Sequence, residues 1–251
     1  MTTKGRTKYE VELDQLATLE NKKRNASRTN LSRFVRFTFE GYDMQWFHKI
    51  VCDYLDKLAN RDIRKLMIFL PPQHGKTTLS SINFPAYLLG KNPKEKIIIG
   101  SYNQTKAAEF LTDCKKVIKS ESYKELFPNT KIEGKDKDIF FEVNKKGFVK
   151  AAGMDSGVTG TAASCIIIDD PFKGRNTANS ITIRNRAWGS YFDDFQTRLS
   201  DDNGIMLMLF TRWHEDDLAG RIIDPNNDLY DEEEAKEWTV IVFQGLKEVT
   251  K

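Results

Sequence analysis

Apolar residues in this chain fall in short unbroken blocks separated by longer polar or amphipathic stretches. Met67–Leu70, Lys96–Tyr102 (KIIIGSY), Ser164–Asp170 (SCIIIDD), Gly204–Phe210 (GIMLMLF) and Trp238–Phe243 (WTVIVF) each read as a strand. None shows strict period-2 alternation, so these strands are apolar on both faces, as in a parallel sheet covered by helices on each side. The stretches between them carry helical spacing. Gln45–Leu58 sets Phe47, Ile50, Val51, Tyr54, Leu55 and Leu58 on one face, and Lys76–Leu89 runs without glycine. Gln104–Ser120 and Thr177–Leu199 follow, the latter with Trp188, Tyr191, Phe192 and Phe195 near one side as core residues, and a further helix starts at Glu215–Arg221. Strand alternating with helix is the mark of βαβ units and an α/β fold. Asp138–Val143 and Gly147–Ala152, joined by Asn144–Lys146, predict an antiparallel hairpin added to the sheet, with Pro128–Lys137 before it as a loop. Gly90–Pro93 and Asp201–Gly204 are turns, and Asp231–Glu237 is an acidic surface stretch.

The N-terminal 36 residues differ from the rest. A weakly periodic helix over Tyr9–Leu19 passes into a run where Lys22, Lys23, Arg24, Arg28, Arg33 and Arg36 meet no acid. This basic arm suits contact with phosphates or a neighbouring subunit, with a solvated arm as the alternative. Residues 37–251 form the main domain, and the length suits one domain. Net charge is only +3, so nucleic-acid binding has to be argued locally and not from overall charge. Cys52, Cys114 and Cys165 have no CxxC spacing and an odd count, which speaks against a zinc site or a disulfide framework. The longest apolar runs are far short of a membrane span, and MTTKGRTKYE lacks a signal-peptide core, so a soluble intracellular protein with no membrane partner is expected. Repeats and low-complexity tracts are absent.

Chemistry concentrates where strands end. Met67–Leu70 is stopped by Pro71 and Pro72 and passes through Gln73, His74 and Gly75 into Lys76, Thr77 and Thr78. Strand, tight polar turn and helix in that order make a phosphate-binding loop (P-loop): turn and helix N–H groups face phosphates, a lysine adds charge, and a hydroxyl holds Mg²⁺. The usual pattern has glycine where Leu70 stands, so the match is partial, and a lysine in an ordinary strand-to-helix loop is the alternative. Asp169 and Asp170 end the SCIIIDD strand on the same sheet edge, where carboxylates either cap a strand or serve a ligand. The polar exit Thr211, Arg212, Trp213, His214 again lies on that edge. His214 with Glu215, Asp216 and Asp217 is not a metal cluster, because consecutive positions at a helix start point in different directions.

Taken together, LMIFLPPQHGKTTLS, IIIGSYNQTKAAEF, TGTAASCIIIDDPFKG and LFTRWHEDDLAGRI resemble, in that order, the ATPase half of a tailed-phage large terminase. The resemblance runs from about Trp46 to Ile223. It implies a P-loop NTPase of the ASCE/RecA-like class with ATP and Mg²⁺ as ligands. Carried over, it makes Lys76 the phosphate lysine, Thr77 and Asp169 the Mg²⁺ partners, Asp170 the water-orienting carboxylate and Thr211 the coupling residue sensing the γ-phosphate. Gln73, His74, Gly75 and Thr78 complete the nucleotide loop, and Gln45 stands where such enzymes place an adenine contact. Arg212 is placed to report nucleotide state or reach DNA. Relatives often have arginine where Gln73 and His74 stand and glutamate where Asp170 stands. Arg175, Arg184, Arg186 and Arg198 are candidates for the arginine that packaging ATPases receive from a neighbouring subunit. The resemblance further implies double-stranded DNA, a homo-oligomeric ring on a capsid portal and a small terminase subunit as partners, in the host cytoplasm. The C-terminal nuclease domain of such proteins is expected to be missing from this chain, and no nuclease activity is expected of it. A helicase-like translocase and a nucleotide-binding DNA assembly module with little turnover are the alternatives.

Overall fold

The computed structural model describes residues 8–156, 158, 160–200 and 203–243. The first seven residues of the basic stretch, Asp201 and Asp202 of the expected turn, and residues 244–251 lie outside these. Eight strands among the described residues form one sheet in the order β3-β4-β5-β2-β6-β7-β1-β8. β1 (Lys65–Phe69), β2 (Lys96–Ser101), β5 (Phe148–Gly153), β6 (Cys165–Asp169), β7 (Ile205–Phe210) and β8 (Trp238–Val242) are mutually parallel. All five apolar runs are therefore strands of a parallel sheet.

Successive residues of the central strands enter two different cores, which is why the runs show no alternation. Leu66, Ile68, Ile97, Ile99, Ile167, Leu207 and Leu209 face one side. There they meet α2 (Leu31–Thr38), α3 (Trp46–Asn60), α4 (Phe84–Lys91) and α5 (Gln104–Lys119) through Phe34, Val51, Leu55, Leu88 and Leu111. Met67, Phe69, Ile98, Ile166, Ile168, Met206, Met208 and Phe210 face the other. Here α7 (Arg175–Asn179), α8 (Ile181–Gly189), the segment Ser190–Phe195 that continues it and α9 (Leu218–Ile223) cover them with Ala178, Ala187, Tyr191, Phe195 and Leu218.

Several boundaries depart from expectation. The expected hairpin is present, as β4 (Phe140–Val143) antiparallel to β5, but the stretch read as a loop before it contains strand β3 (Ile132–Lys137). β3 is an exposed, bulged edge strand with alternating charges, so it carries no apolar period to read. The single helix expected over Thr177–Leu199 breaks at Ser180, which is extended, and continues as α8, a π segment Ser190–Phe195 and a 3₁₀ turn Gln196–Arg198. Asn and Ser side chains at 179 and 180 compete for backbone groups and favour such a break.

The basic stretch does not project from the molecule. α1 (Lys8–Thr29) carries Arg24, paired with Glu20 and Glu125, and Arg28, whose guanidinium donates to the carbonyls of Leu126 (2.6 Å) and Glu125 (3.4 Å). Those carbonyls end α6 (Glu121–Leu126), where a cation suits both the free acceptors and the helix dipole. Leu31, Phe34 and Val35 on α2 are fully buried, while Arg33 and Arg36 remain exposed.

The acidic stretch 231–237 is likewise not all surface. In α10 (Glu232–Lys236) Glu234 turns inward and accepts from Lys65 Nζ at 2.9 Å, Trp238 Nε1 at 3.0 Å, Gln196 Nε2 at 3.1 Å and the Tyr191 hydroxyl. Burial would raise its pKa, but these donors more than offset that and hold it below the usual carboxylate range. Glu234→Ala leaves Lys65 buried with only the exposed Glu237 as counter-charge. Removing one partner of such a pair costs about 3 kcal/mol, or roughly 6–12 °C in melting temperature for a domain of this size, readable by thermal unfolding.

Candidate functional site

Three strand ends build the site. Beyond β1 the chain turns through Pro71–Gly75, with Gln73 and Gly75 both left-handed (φ 63° and 71°), and enters a helix at Lys76. That helix widens into a π segment over Thr78–Asn83 before α4, with the Phe84 N–H bonding five residues back to Leu79. Beyond β6, Asp170 is left-handed (φ 45°), which swings its side chain out of the strand direction. Beyond β7 comes Thr211. Parallel register places these exits side by side, since Phe69 pairs with Phe210 and Asp169 with Leu209.

Lys76 Nζ donates to Asp170 Oδ2 at 2.7 Å and to the Thr211 hydroxyl at 2.8 Å. Asp170 Oδ1 accepts from the Thr211 N–H at 3.0 Å. Residues separated by 94 and 135 positions in sequence thus form one closed network. It lines a cavity of about 570 Å³ together with Pro72, Gln73, Gly75, Thr77 and Thr78. Asp169 lies fully buried behind them, with Oδ2 accepting from Ser81 at 2.7 Å. Its other oxygen, Oδ1, is buried without a hydrogen-bond partner. Burial, then the neighbouring Asp170 charge, push the Asp169 pKa up, against the lowering effects of Ser81, Lys76 and Thr77.

A buried carboxylate oxygen with nothing to bind fits a divalent cation. The donor set, one carboxylate and the Thr77 hydroxyl, is all oxygen and suits Mg²⁺ completed by water and phosphate oxygens. Asp169 and Thr77 are the residues that would hold it.

The other expected residues are placed differently. His74 is exposed, with Nδ1 2.7 Å from the Pro72 carbonyl, and does not line the cavity. Gln45 caps α3, but its side chain is exposed and donates to Asp43, also outside the cavity lining. Arg212 pairs with Asp217 at 2.8 Å and stacks over Phe69. Arg184 is buried, bonded to Asp216 (2.9 Å) and the Ala178 carbonyl (2.6 Å), and Arg198 donates to the Val158 carbonyl at 3.0 Å; Arg175 and Arg186 are exposed. The helix expected from Glu215 begins at Leu218, because Asp217 is its N-cap and accepts from the Gly220 N–H. Glu215 and Asp216 therefore belong to the loop after Thr211. Asp216 is clamped there by Arg221, Asn227 and Arg184, and the Arg221 hydrogen bond above all holds its pKa far below the usual carboxylate range.

Sequence reasoning missed Ser81, one helical turn past Thr77, and the cavity-lining Tyr102, Lys106, Phe110, Phe172 and Lys173, whereas Trp213, read as part of the polar exit after β7, does line the cavity. The polar exit SYNQTK after β2 was a readable sign of Tyr102 and Lys106.

The family model for the N-terminal part of the terminase large subunit, T4-like virus type, matches residues 67–251. The chain belongs to that family. The large terminase of bacteriophage HK97 is similar in structure at a TM-score of 0.52 and 16% identity, over 78% of this chain and 40% of that one. The large terminase of a thermophilic bacteriophage, solved with ATP-γ-S, aligns at a TM-score of 0.40 and 11% identity, over 75% of this chain and 37% of that one. This terminase domain therefore spans well under half the length of those proteins. No curated protein matches it in sequence. Its eight-stranded, mostly parallel sheet between two helical layers is the P-loop NTPase fold. Among the described residues of the terminase domain, no helix is long and apolar enough to cross a membrane.

Proposed function

We propose that this domain is the ATPase motor of a phage large terminase, hydrolysing Mg-ATP to drive double-stranded DNA into a capsid. The observation that carries the reading is the Lys76–Asp170–Thr211 network, which brings the phosphate lysine, the acid after the strand and the late threonine into one cavity.

In the structure Lys76 is paired with Asp170. Incoming phosphate is the stronger competitor, because it offers several charged oxygens where Asp170 offers one, and Lys76 turns to it. Asp170 Oδ2 is then free to accept a hydrogen bond from the attacking water and orient it towards the γ-phosphorus. The Thr211 hydroxyl loses its Lys76 donor in the same event, so Thr211 and the clamped loop to Asp217 register whether the γ-phosphate is present. Mg²⁺, when bound by Asp169 and Thr77, supplies neutralisation of charge developing on the phosphate oxygens. Loop amides and Lys76 act on the same charge from the protein side.

Gripping a DNA of any sequence requires contacts to its backbone and none to its bases. Work of this kind is done by a homo-oligomeric ring on a capsid portal, served by a small terminase subunit, in the host cytoplasm. An arginine from a neighbouring subunit, of the kind worth on the order of 10³–10⁵ in rate, completes the site, and the exposed Arg175 and Arg186 are free to serve it. The test measures nucleotide binding and hydrolysis separately, at high dilution and then assembled with DNA. Binding in both states with hydrolysis rising roughly 10³-fold or more on assembly is expected. Brisk turnover at high dilution would rule out a shared site. Binding with no turnover in either state would make the domain a nucleotide-dependent assembly module.

A further inference from the structure

His48 lies in the first turn of α3 and is 6% exposed. Its Nδ1 is 3.1 Å from the backbone nitrogen of Gln45. An amide N–H has only a proton to offer, so Nδ1 is the acceptor and carries no hydrogen. The ring proton is therefore on Nε2, which lies 3.1 Å from the carbonyl oxygen of His74 and donates to it. The 74–75 peptide is trans, and in a trans peptide the carbonyl and the following N–H point in opposite directions. With the His74 oxygen held towards α3, the Gly75 N–H is turned away from α3. Among the described residues that N–H has no acceptor.

Packing crowds the α3 side of this turn, where only glycine fits at position 75. Gly75 is left-handed, and a Cβ there would stand 2.9 Å from His48 Nε2 and 2.7 Å from the Tyr42 hydroxyl. Tyr42 packs its ring 5.4 Å from the His48 imidazole, and Phe47 stands 4.3 Å from that imidazole and 5.8 Å from the His74 ring. Burial, chiefly, raises the Tyr42 pKa to about 12, so its hydroxyl stays neutral beside the loop.

We infer that His48 is a positioning residue, which orients the 74–75 peptide so that the Gly75 N–H is presented to a bound phosphate. The inference rests on the phosphate-site reading of the loop. It also makes the start of α3 part of the nucleotide site through its imidazole, with no side-chain contact from Gln45 required.

Two near-isosteres separate this role from general structural support. In His48→Gln the amide nitrogen reaches the Nε2 position and keeps the donor to His74. In His48→Asn the amide oxygen sits near the Nδ1 position and keeps the Gln45 bond, while nothing reaches His74. Thermal unfolding and the Kd of a fluorescent ATP analogue with Mg²⁺ are measured on the full chain for both variants and the unsubstituted protein. His48→Asn is expected to weaken binding about tenfold, or about 1.4 kcal/mol, and His48→Gln less than about threefold. Melting temperatures of the two variants are expected to agree within about 3 °C, since each keeps one of the two bonds. Equal affinities in the two variants would overturn the inference, as would a loss of affinity that simply follows the loss of melting temperature. If the unsubstituted protein binds no nucleotide, the phosphate-site reading falls and this one with it. If it binds and both variants match it, only the role of His48 falls.

Discussion

Lys76→Ala is expected to abolish ATP hydrolysis while leaving the fold intact. Lys76 is the one P-loop cation bonded to both Asp170 and Thr211, so its loss removes charge stabilisation and breaks the network at its centre. Losing a preorganised donor to developing charge reduces turnover roughly 10²–10³-fold, and losing the ground-state phosphate contact adds to that. The expected sum is a fall of about 10³-fold or more in kcat/KM, followed by phosphate release. Stability changes little, because the Asp170 side chain is 33% exposed and keeps the Thr211 N–H as donor. A cost near 1 kcal/mol is expected, checked by thermal unfolding of the same sample. Unchanged hydrolysis would remove Lys76 from the site.

Asp170→Asn separates binding from chemistry. Asparagine tolerates the left-handed backbone found at 170 and can keep the acceptor for the Thr211 N–H. What it loses is the charge opposite Lys76 and the ability to accept a proton or orient water as a carboxylate does. Its amide nitrogen would face the Lys76 ammonium, donor against donor, so Lys76 is released towards the cavity. Hydrolysis is expected to fall about 10²–10⁴-fold, the usual range for removing a general base. Nucleotide affinity is expected to hold or rise in the same variant, because phosphate no longer has to displace Asp170 from Lys76. Parallel falls in both quantities would mean that Asp170 supports the loop and does not act on water. A rise in affinity alone, with turnover intact, would leave the ion pair real and the catalytic role refuted.

The two substitutions read different halves of one network. Lys76→Ala removes the phosphate contact, whereas Asp170→Asn keeps it and removes the partner that holds Lys76 back. Their double variant should behave as Lys76→Ala does, since groups that act as a unit are not additive.

The order of elements was legible because burial on both faces leaves a mark in composition. Five apolar runs without alternation required helices above and below them, and two separate cores fill those spaces. The three residues of the network were legible as neighbours for a related reason, since Asp170 and Thr211 stand at the exits of such runs and Lys76 just past the turn that follows another, all on one edge of a parallel sheet. Local signals failed where the pattern was polar or was rewritten by contact. β3 has charges instead of a period, Glu234 reads as surface acid until Lys65 is brought beneath it, and Arg184 reads as free until Asp216 meets it. Gln45 reads as a side chain bound for the nucleotide, yet in the structure it is the neighbouring His48 that reaches the loop.

By itself the sequence determined which segments are buried on both faces, and hence the α/β class and the sheet edge on which polar side chains gather. Only the tertiary structure decided that Lys76 rests on Asp170 and Thr211, that one oxygen of Asp169 is left without a partner, and that His48 meets the carbonyl before Gly75. Burial follows from composition summed over a segment, whereas a hydrogen bond between groups about a hundred positions apart depends on strand order and register, which no local stretch of chain encodes.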